Sequence, residues 1–458
     1  MLFPTVEFAA FFAAVLMVNW WLMPRPRLWK PFILLASYVC YGWASPRLVL
    51  VLVGVTLWNQ AFGWAVFHTR NRALLITGIA GDLALLGYAK YAGFFAHEID
   101  TALGRIGLGA PLPVIVLAAT VGVSFYTFQG ISYLVDLWRG DLPRPAPTLD
   151  FLVYQAFFPH LFAGPIVRAR ELIPQFATPR DPAQVPYTRA GTLILAGLAK
   201  KLVIADTLGK LVVDPVFAAP GQHAAYEVLF AIYAYAAQIY ADFSGYTDLA
   251  IGLALLLGFQ FPVNFDRPYA AASLREFWRR WHISLSSWLR DYVYIPLGGG
   301  RGRPRRNLFL TMLLGGLWHG ANWTFVAWGG LHGAALALER RTGPSRWPWL
   351  GRLITFHFVA LCWVFFRAPG FGDAFAVLDR LFVWKGHGTG LIAPLLVVLV
   401  LAGTAIQLVP GGLLARPARR LLGTMSPATQ GVSLALGFVA LMAVVPNLGV
   451  PAFIYYQF

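Results

Sequence analysis

Apolar runs of membrane-spanning length recur along almost the entire chain, and they limit what it can fold into. A bilayer core about 30 Å thick needs roughly 20 helical residues per crossing, so the shorter runs would be tilted, broken or partial crossings. Only helices and closed barrels can span lipid, and the ten-residue alternation of barrel strands is absent. The sequence therefore predicts an all-α polytopic membrane protein. The runs lie near residues 6–23, 31–43, 47–67, 73–95, 113–135, 190–217, 225–262, 308–338, 353–366, 391–409 and 431–447.

The composition leaves too little polar surface for a water-soluble globule. Of the residues, 58% are hydrophobic and 12% are charged, whereas soluble domains carry about 25% charged residues. The net charge of +16 comes from basic residues in short loops between apolar runs, which is how membrane proteins mark their cytoplasmic face. No basic nucleic-acid motif accompanies this charge, so the lipid bilayer is the expected partner and nucleic acid is not.

The basic loops also predict the direction in which the chain crosses the membrane. Arg25, Arg27 and Lys30 follow the first run, so that loop is expected in the cytoplasm and the N-terminus outside. The basic loop 416–420 places a late connection inside, which leaves the C-terminus outside. Because the first run lacks a basic leader and a small-residue cleavage site, we interpret it as a retained helix and not as a signal peptide.

The stretch 271–291 combines basic and aromatic residues at helical spacing. Its apolar positions form one stripe, which predicts an amphipathic helix on the cytoplasmic interface. Attachment to anionic lipid would explain the arginines of this helix but not its histidine. The polar stripe consists of Arg275, Arg279, His282, Ser286 and Arg290.

His319 lies within the apolar segment 308–338, in the sequence "LLGGLWHGANW". Basic stretches flank this segment on both sides, and if both are cytoplasmic the segment must enter the membrane and return. The first arm, 308–318, gives about 16 Å of helix, which places His319 near the bilayer midplane at the tip of a re-entrant hairpin. A single long crossing with basic loops on opposite sides is the alternative.

A histidine at that depth is a candidate for chemistry, because an imidazole in lipid is costly without water or a partner. Desolvation and nearby arginines disfavour its charged form, and a neutral imidazole suits a general base that takes a proton from a hydroxyl. We therefore predict His319 as the base and His282 as a second histidine of the site. Simple packing of either histidine inside a helix bundle is the alternative.

A second group of polar residues lies in "QIYADFSGYTDLAIG", residues 238–252. We expect Asp242 and Asp248 to pair with the arginines of 271–291 and, with Ser286, to support the site without reacting. No serine elbow, phosphate-binding loop or zinc-protease motif is present. Cys40 and Cys362 lie in apolar runs without metal-ligand spacing, so no metal site is predicted.

Several long motifs resemble the membrane-bound O-acyltransferase family, in its bacterial polysaccharide-acetylating branch. The resemblance runs in order over most of residues 1–370, and the C-terminal part agrees only in hydropathy. The motifs include "FPHLFAGPIVRARELIPQF", "KKLVIAD", "QIYADFSGYTDLAIGLALLLGFQFPVNFDRPY", "FWRRWHISLSSWLRDYVYIPLGG" and "TMLLGGLWHGANWTFVAWGGLHG".

The resemblance implies that His319 is the catalytic histidine and His282 a second histidine of the site. It also implies a ring of about 10–12 transmembrane or re-entrant helices around a funnel with a thinned centre. We expect a single membrane domain, with N-terminal helices over 1–135, a catalytic core over 136–340 and C-terminal helices over 341–458. Substrate contacts are assigned to Arg275, Arg279, Arg290, Trp318 and Asn322.

The resemblance further implies O-acetyl transfer from a cytoplasmic donor, acetyl-CoA, towards alginate or a related exported polysaccharide at a bacterial inner membrane. Cellulose, another exopolysaccharide and an intermediate carrier protein are alternative acceptors. A periplasmic SGNH-type acetyltransferase and the polysaccharide secretion machinery are expected partners, and no bound cofactor is expected. A transporter or flippase and a secretion scaffold are the competing functions, although no internal repeat of the transporter kind is evident.

Overall fold

The computed structural model describes residues 1, 3–43, 45–105, 122–162, 164–384, 388–410, 413, 420 and 424–444. Every regular element in these ranges is a helix, so the predicted all-α class is confirmed. The chain forms two compact units, Met1–Val185 with Leu253–Pro262 and Pro186–Gly252 with Val263–Phe458. Most of the predicted basic loop 416–420 and the C-terminal end lie outside the described residues. The ring of helices around a funnel stays a prediction.

The first unit consists of helices that exchange hydrogen bonds in an apolar interior. Its helices are α1 Val6–Leu22, α2 Pro26–Gly42, α3 Pro46–Thr69, α4 Arg72–Arg105, α5 Val123–Arg139, α6 Thr148–Ala156, α7 Phe158–Leu161 and α8 Ala169–Leu172. Asn59 of α3 donates to Asp82 of α4 at 2.8 Å, and Trp29 of α2 donates to Asn19 of α1 at 2.8 Å. These four side chains are buried, so each bond fixes which helix packs against which.

The second unit carries most of α12 and all later helices. Its helices are α9 Tyr187–Leu198, α10 Asp206–Leu208, α11 Asp214–Ala218, α12 Ala225–Leu256, α13 Leu274–Arg280, α14 Ile283–Leu289, α15 Pro304–His319, α16 Trp323–Thr342, α17 Pro348–Arg367, α18 Phe371–Arg380, α19 Pro394–Gly403 and α20 Pro427–Val444. Wider π-helical segments, Ala199–Ala205 and Gly209–Val213, connect α9 to α11. A Cβ at Gly197 would lie 2.6 Å from the carbonyl oxygen of Gly245, so α9 and α12 touch through their backbones.

Three of the described helices, α3, α4 and α17, are long and apolar enough to cross a membrane. Shorter apolar helices lie at Val6–Leu22, Pro394–Leu408 and Thr429–Leu441. The surface of α3 keeps large apolar side chains outside, with Leu50 73% and Trp64 57% exposed. Apolar surface of this kind is stable against lipid and unstable against water, as expected for a membrane protein.

Helices α15 and α16 pack against each other and are joined by the short turn 320–322. A Cβ at Gly316 would collide with the carbonyl oxygen of Phe325, and one at Gly329 would lie 2.5 Å from that of Met312. Glycines at these positions let two helix backbones meet closely. Segment 308–338 therefore folds as a helical hairpin with His319 at its turn, and its entry into the membrane from one side stays a prediction.

Candidate functional site

His319 is the last residue of α15 and lies in a cage of aromatic rings. Its side chain is 4% exposed. The ring centroids of Trp318, Trp328 and Phe366 lie 5.0, 5.1 and 5.2 Å from that of the imidazole, all in edge-to-face geometry. Edge-to-face packing is favourable for aromatic rings, so the cage holds the imidazole in place and shields it from bulk water.

His282 is fully buried between α13 and α14. The ring of Phe243 packs edge-on against the imidazole, with centroids 4.6 Å apart. Neither ring nitrogen has a hydrogen-bond partner among the described residues. Burial lowers the pKa of the His282 imidazole, so the ring is neutral at physiological pH and has one nitrogen able to accept a proton.

The Trp318 indole links the two histidines. Its centroid lies 5.0 Å from the His319 ring and 6.2 Å from the His282 ring. The indole is 5% exposed. The structure therefore brings together three of the residues assigned to the site from sequence.

The prediction of one continuous helix over 271–291 is wrong, because the chain breaks at Trp281 and His282. His282 has φ +42°, in the left-handed region, where a side chain costs about 1–2 kcal/mol. The segment around Asn264 replaces the missing helical bonds: Asp266 N–H donates to Arg280 O, and Ile283 N–H donates to Asn264 O, both at 2.9 Å. The Asn264 side-chain oxygen also accepts from Ser284 N–H at 3.1 Å.

The break separates the histidine from the arginines that were predicted to share its face. Arg275, Arg279 and Arg290 are exposed, whereas His282 is buried. Arg290 pairs with the neighbouring Asp291 at 2.7 Å. The arginines therefore form a charged surface, and the prediction that His282 shares their helix face is wrong.

Asn322 and Ser286 both make structural hydrogen bonds. The Asn322 side-chain oxygen accepts from Thr324 N–H at 3.0 Å, which makes Asn322 the N-cap of α16, and its amide nitrogen donates to Pro369 O. The Ser286 hydroxyl donates to Trp281 O at 3.1 Å, across the break beside His282. A substrate contact for Asn322 stays a prediction, as does the supporting role of Ser286.

Lysines, not arginines, supply the cations for the two aspartates of α12. Lys201 lies 2.7 Å from both Asp242 and Asp206, and its side chain is 2% exposed. Lys200 lies 2.6 Å from Asp248. The prediction that the arginine helix pairs with Asp242 and Asp248 is therefore wrong. The sequence contained a signal for the correct partners, since two adjacent lysines in the apolar run 190–217 are costly in lipid unless paired.

No role was predicted for Trp328, whose ring packs against two histidines and one tryptophan of this region. Its ring lies 5.1 Å from His319, 4.9 Å from His332 and 5.5 Å from Trp363. His332, which the structure buries completely, accepts a hydrogen bond at its Nδ1 from Trp278 Nε1 at 3.3 Å. Trp328 and His332 are four residues apart on α16, the spacing that places side chains on one helix face.

The arrangement can move a proton in a dry setting. Two buried imidazoles lie near one indole, and exposed arginines lie nearby in sequence. No group of three His, Cys, Asp or Glu side chains within the described ranges could hold a metal ion. A base that removes a proton from a hydroxyl is the chemistry that these side chains offer directly.

Known proteins share this region. Residues 141–366 match the model of the membrane-bound O-acyltransferase family, and both His282 and His319 lie within the match. A probable alginate O-acetylase of Pseudomonas aeruginosa is 44% identical over 76% of this chain and 69% of its own length. A peptidoglycan O-acetyltransferase of Helicobacter pylori is 35% identical over 77% of this chain and 73% of its own length.

A more distant relative transfers a different acyl group. The teichoic acid D-alanyltransferase of Streptococcus thermophilus is 30% identical over 48% of this chain and 56% of its own length. The names of these three relatives describe acyl transfer involving alginate, peptidoglycan and teichoic acid. This chain belongs to the membrane-bound O-acyltransferase family and is an acyltransferase.

Proposed function

We propose that the chain O-acetylates an exported polysaccharide, alginate or a related exopolysaccharide, with acetyl-CoA as the cytoplasmic donor. The observation that carries this proposal is the caged imidazole of His319 at the turn of the α15–α16 hairpin, within the region shared with the family. The names of the alginate and peptidoglycan O-acetylating relatives support the acetyl group and the polymeric acceptor.

In the proposed reaction His319 acts as general base. The imidazole takes the proton of the acceptor hydroxyl while that oxygen attacks the thioester carbonyl carbon of the donor. The new C–O ester bond replaces the C–S bond, and the departing thiolate takes the proton from the imidazolium. The aromatic cage keeps out water, which would otherwise hydrolyse the thioester.

His282, whose ring also lies near that of Trp318, assists. Its ring is neutral and has an unused acceptor nitrogen, so it can accept a hydrogen bond from a substrate group or a water near the indole. Such a hydrogen bond would hold the reacting group near His319, which passes its proton to the departing thiolate. Asp242 and Asp248, held by their lysines, support α12 behind Phe243.

The exposed arginines form the proposed landing surface for the donor. Arg275, Arg279 and Arg290 present guanidinium groups that suit the phosphates of acetyl-CoA.

We further propose a bacterial inner-membrane location with both termini outside, and cooperation with a periplasmic SGNH-type acetyltransferase and the secretion machinery. Cellulose and a carrier protein are the alternative acceptors, and identification of the molecule that carries the acetyl group would distinguish them from alginate.

The test is substitution of His319 in a cell that makes the polysaccharide. His319→Ala should lower the O-acetyl content of the exopolysaccharide by about 10²–10⁴-fold, the usual contribution of a general base, at unchanged protein abundance in the membrane. His68→Ala is the matched control, because His68 is exposed at the end of α3. Wild-type acetylation in the His319→Ala strain would exclude His319 as the base.

An assay of acetyl-CoA cleavage by the purified protein distinguishes an enzyme from a flippase or a scaffold. An enzyme should release coenzyme A from acetyl-CoA in the presence of the acceptor, and His319→Ala should not. Transport of an acetylated carrier without thioester cleavage would contradict the proposal. The transferase names of the relatives speak against both competing functions.

A further inference from the structure

A cavity of about 590 Å³ in the second unit is lined by three arginines and one carboxylate, and the proposed reaction does not use it. Its charged lining residues are Arg267, Glu276, Arg280 and Arg352. We call this cavity the arginine pocket. None of the three exposed arginines of the stripe, Arg275, Arg279 and Arg290, lines it.

The carboxylate leaves a surplus of positive charge in the arginine pocket. Glu276 pairs with Arg280 at 2.6 Å. Arg267 lies 3.5 Å from Asp266, a carboxylate outside the pocket that is largely exposed. Arg352 uses its Nε to donate to Ala270 O at 3.2 Å, which leaves its two terminal nitrogens for a ligand. Guanidinium groups bind phosphate through two parallel hydrogen bonds, so a phosphate group fits this lining.

The rim of the pocket is apolar and turned outward. Trp349, Leu353 and Leu408 also line the cavity and are 64%, 50% and 54% exposed. Trp349 and Leu353 belong to α17, one of the helices able to cross a membrane. An exposed arginine beside exposed leucines on such a helix is costly in hydrocarbon unless it reaches a lipid headgroup or another anion.

The position of Arg352 along α17 matches the headgroup layer of the cytoplasmic leaflet. The helix begins at Pro348, so Arg352 lies about 6 Å along its axis from the start. Trp347 and Trp349 are exposed at that start, and tryptophans are enriched at the membrane–water interface. The preceding sequence "ERRTGPSR" is basic, which indicates the cytoplasmic side.

We propose that the arginine pocket binds the headgroup phosphate of an anionic phospholipid from the cytoplasmic leaflet, with the lipid chains along Leu353 and Leu408. A soluble phosphate-bearing donor could use the same guanidinium groups, but it would not account for the outward apolar rim. The proposal does not depend on acetyl transfer, because none of its residues takes part in the proposed reaction.

The full-length protein in lipid nanodiscs provides the test. Nanodiscs contain phosphatidylcholine alone or a mixture with phosphatidylglycerol, and mass spectrometry counts the lipids that remain on the protein after extraction into detergent. Wild type should retain phosphatidylglycerol in preference to phosphatidylcholine. Arg352→Gln and Arg267→Gln should each lower phosphatidylglycerol retention about fivefold, the effect of losing one basic residue that contacts an anionic headgroup.

Arg346→Gln is the matched control, since it removes the same charge from the exposed segment just before α17 and outside the pocket. The Arg346→Gln protein should retain phosphatidylglycerol as wild type does. If Arg352→Gln fails to fold, Arg352→Lys replaces it, and this variant should retain most of the phosphatidylglycerol because it keeps the positive charge. Equal retention in wild type and both pocket variants would overturn the proposal. Displacement of the lipid by coenzyme A or inorganic phosphate at micromolar concentration would also overturn it, because the pocket would then be a site for a soluble anion.

Discussion

Lys201 and His282 are both almost completely buried in the second unit, yet their polar atoms have opposite surroundings. The Lys201 ammonium lies 2.7 Å from each of two carboxylates. The His282 imidazole is surrounded by aromatic rings, and its nitrogens have no hydrogen-bond partner among the described residues. A buried polar group left unpaired costs about 1–3 kcal/mol. The ion pairs of Lys201 with Asp206 and Asp242 therefore stabilise the packing of the helices. The unpaired imidazole of His282 lowers stability at a place where chemistry is proposed.

Removal of the Lys201 ammonium is expected to have the largest effect. Lys201→Met should lower the free energy of unfolding by about 3–5 kcal/mol, because Asp206 and Asp242 would lose the buried cation that both carboxylates share. Lys200→Met, at a more accessible pair with Asp248, should cost less. Thermal unfolding of the purified proteins in detergent measures both, and equal stability of wild type and Lys201→Met would contradict a stabilising role.

The converse substitution tests the histidine region. His282→Phe keeps an aromatic ring but removes the unpaired nitrogens, so stability should stay the same or rise. Acetyl transfer should fall by about 10²-fold if the imidazole holds the reacting group in place by a hydrogen bond. Turnover of acetyl-CoA and thermal unfolding are measured on one preparation. Unchanged turnover would assign His282 to packing alone.

Asn322 is predicted to contact substrate, but its side chain caps α16 in the structure. Asn322→Ala should lower stability by about 1 kcal/mol through loss of the α16 N-cap, whereas Asn322→Asp keeps an acceptor for Thr324 N–H. If Asn322 only caps the helix, Asn322→Asp should have the wild-type KM and kcat. A large loss of turnover in the stable Asn322→Asp protein would instead support contact with substrate.

The smallest effect is expected at the exposed arginines. Arg279→Gln should change the free energy of unfolding by less than about 0.5 kcal/mol, as surface substitutions usually do. It should raise the KM for acetyl-CoA about fivefold at low salt, and the difference should shrink as salt screens the charge. A KM that is equal in both proteins at every salt concentration would remove Arg279 from the donor surface.

The position of His319 could be predicted because its signal is local. An imidazole in an apolar run, followed by glycine and asparagine, gives both the end of α15 and the N-cap of α16. The all-α class follows in the same way from the length of the apolar runs.

The break at His282 could not be predicted from helical spacing, because its cause lies elsewhere in the chain. Residues 274–290 have a continuous amphipathic pattern, and tertiary hydrogen bonds from Asn264 override it. The partners of Asp242 and Asp248 were missed for a related reason. Lys200 and Lys201 come more than forty residues earlier, and a π-helical segment sets the direction of their side chains.

The hairpin glycines have a consequence for how substrates reach His319. Where Gly316 meets the backbone of α16 there is no side chain between the helices that could change rotamer and let them slide. Close-packed backbone contacts have few intermediate arrangements, so we expect α15 and α16 to move as one rigid body. The imidazole then keeps a constant position relative to Trp328, and a gate for donor or acceptor must be formed by parts of the protein outside the hairpin.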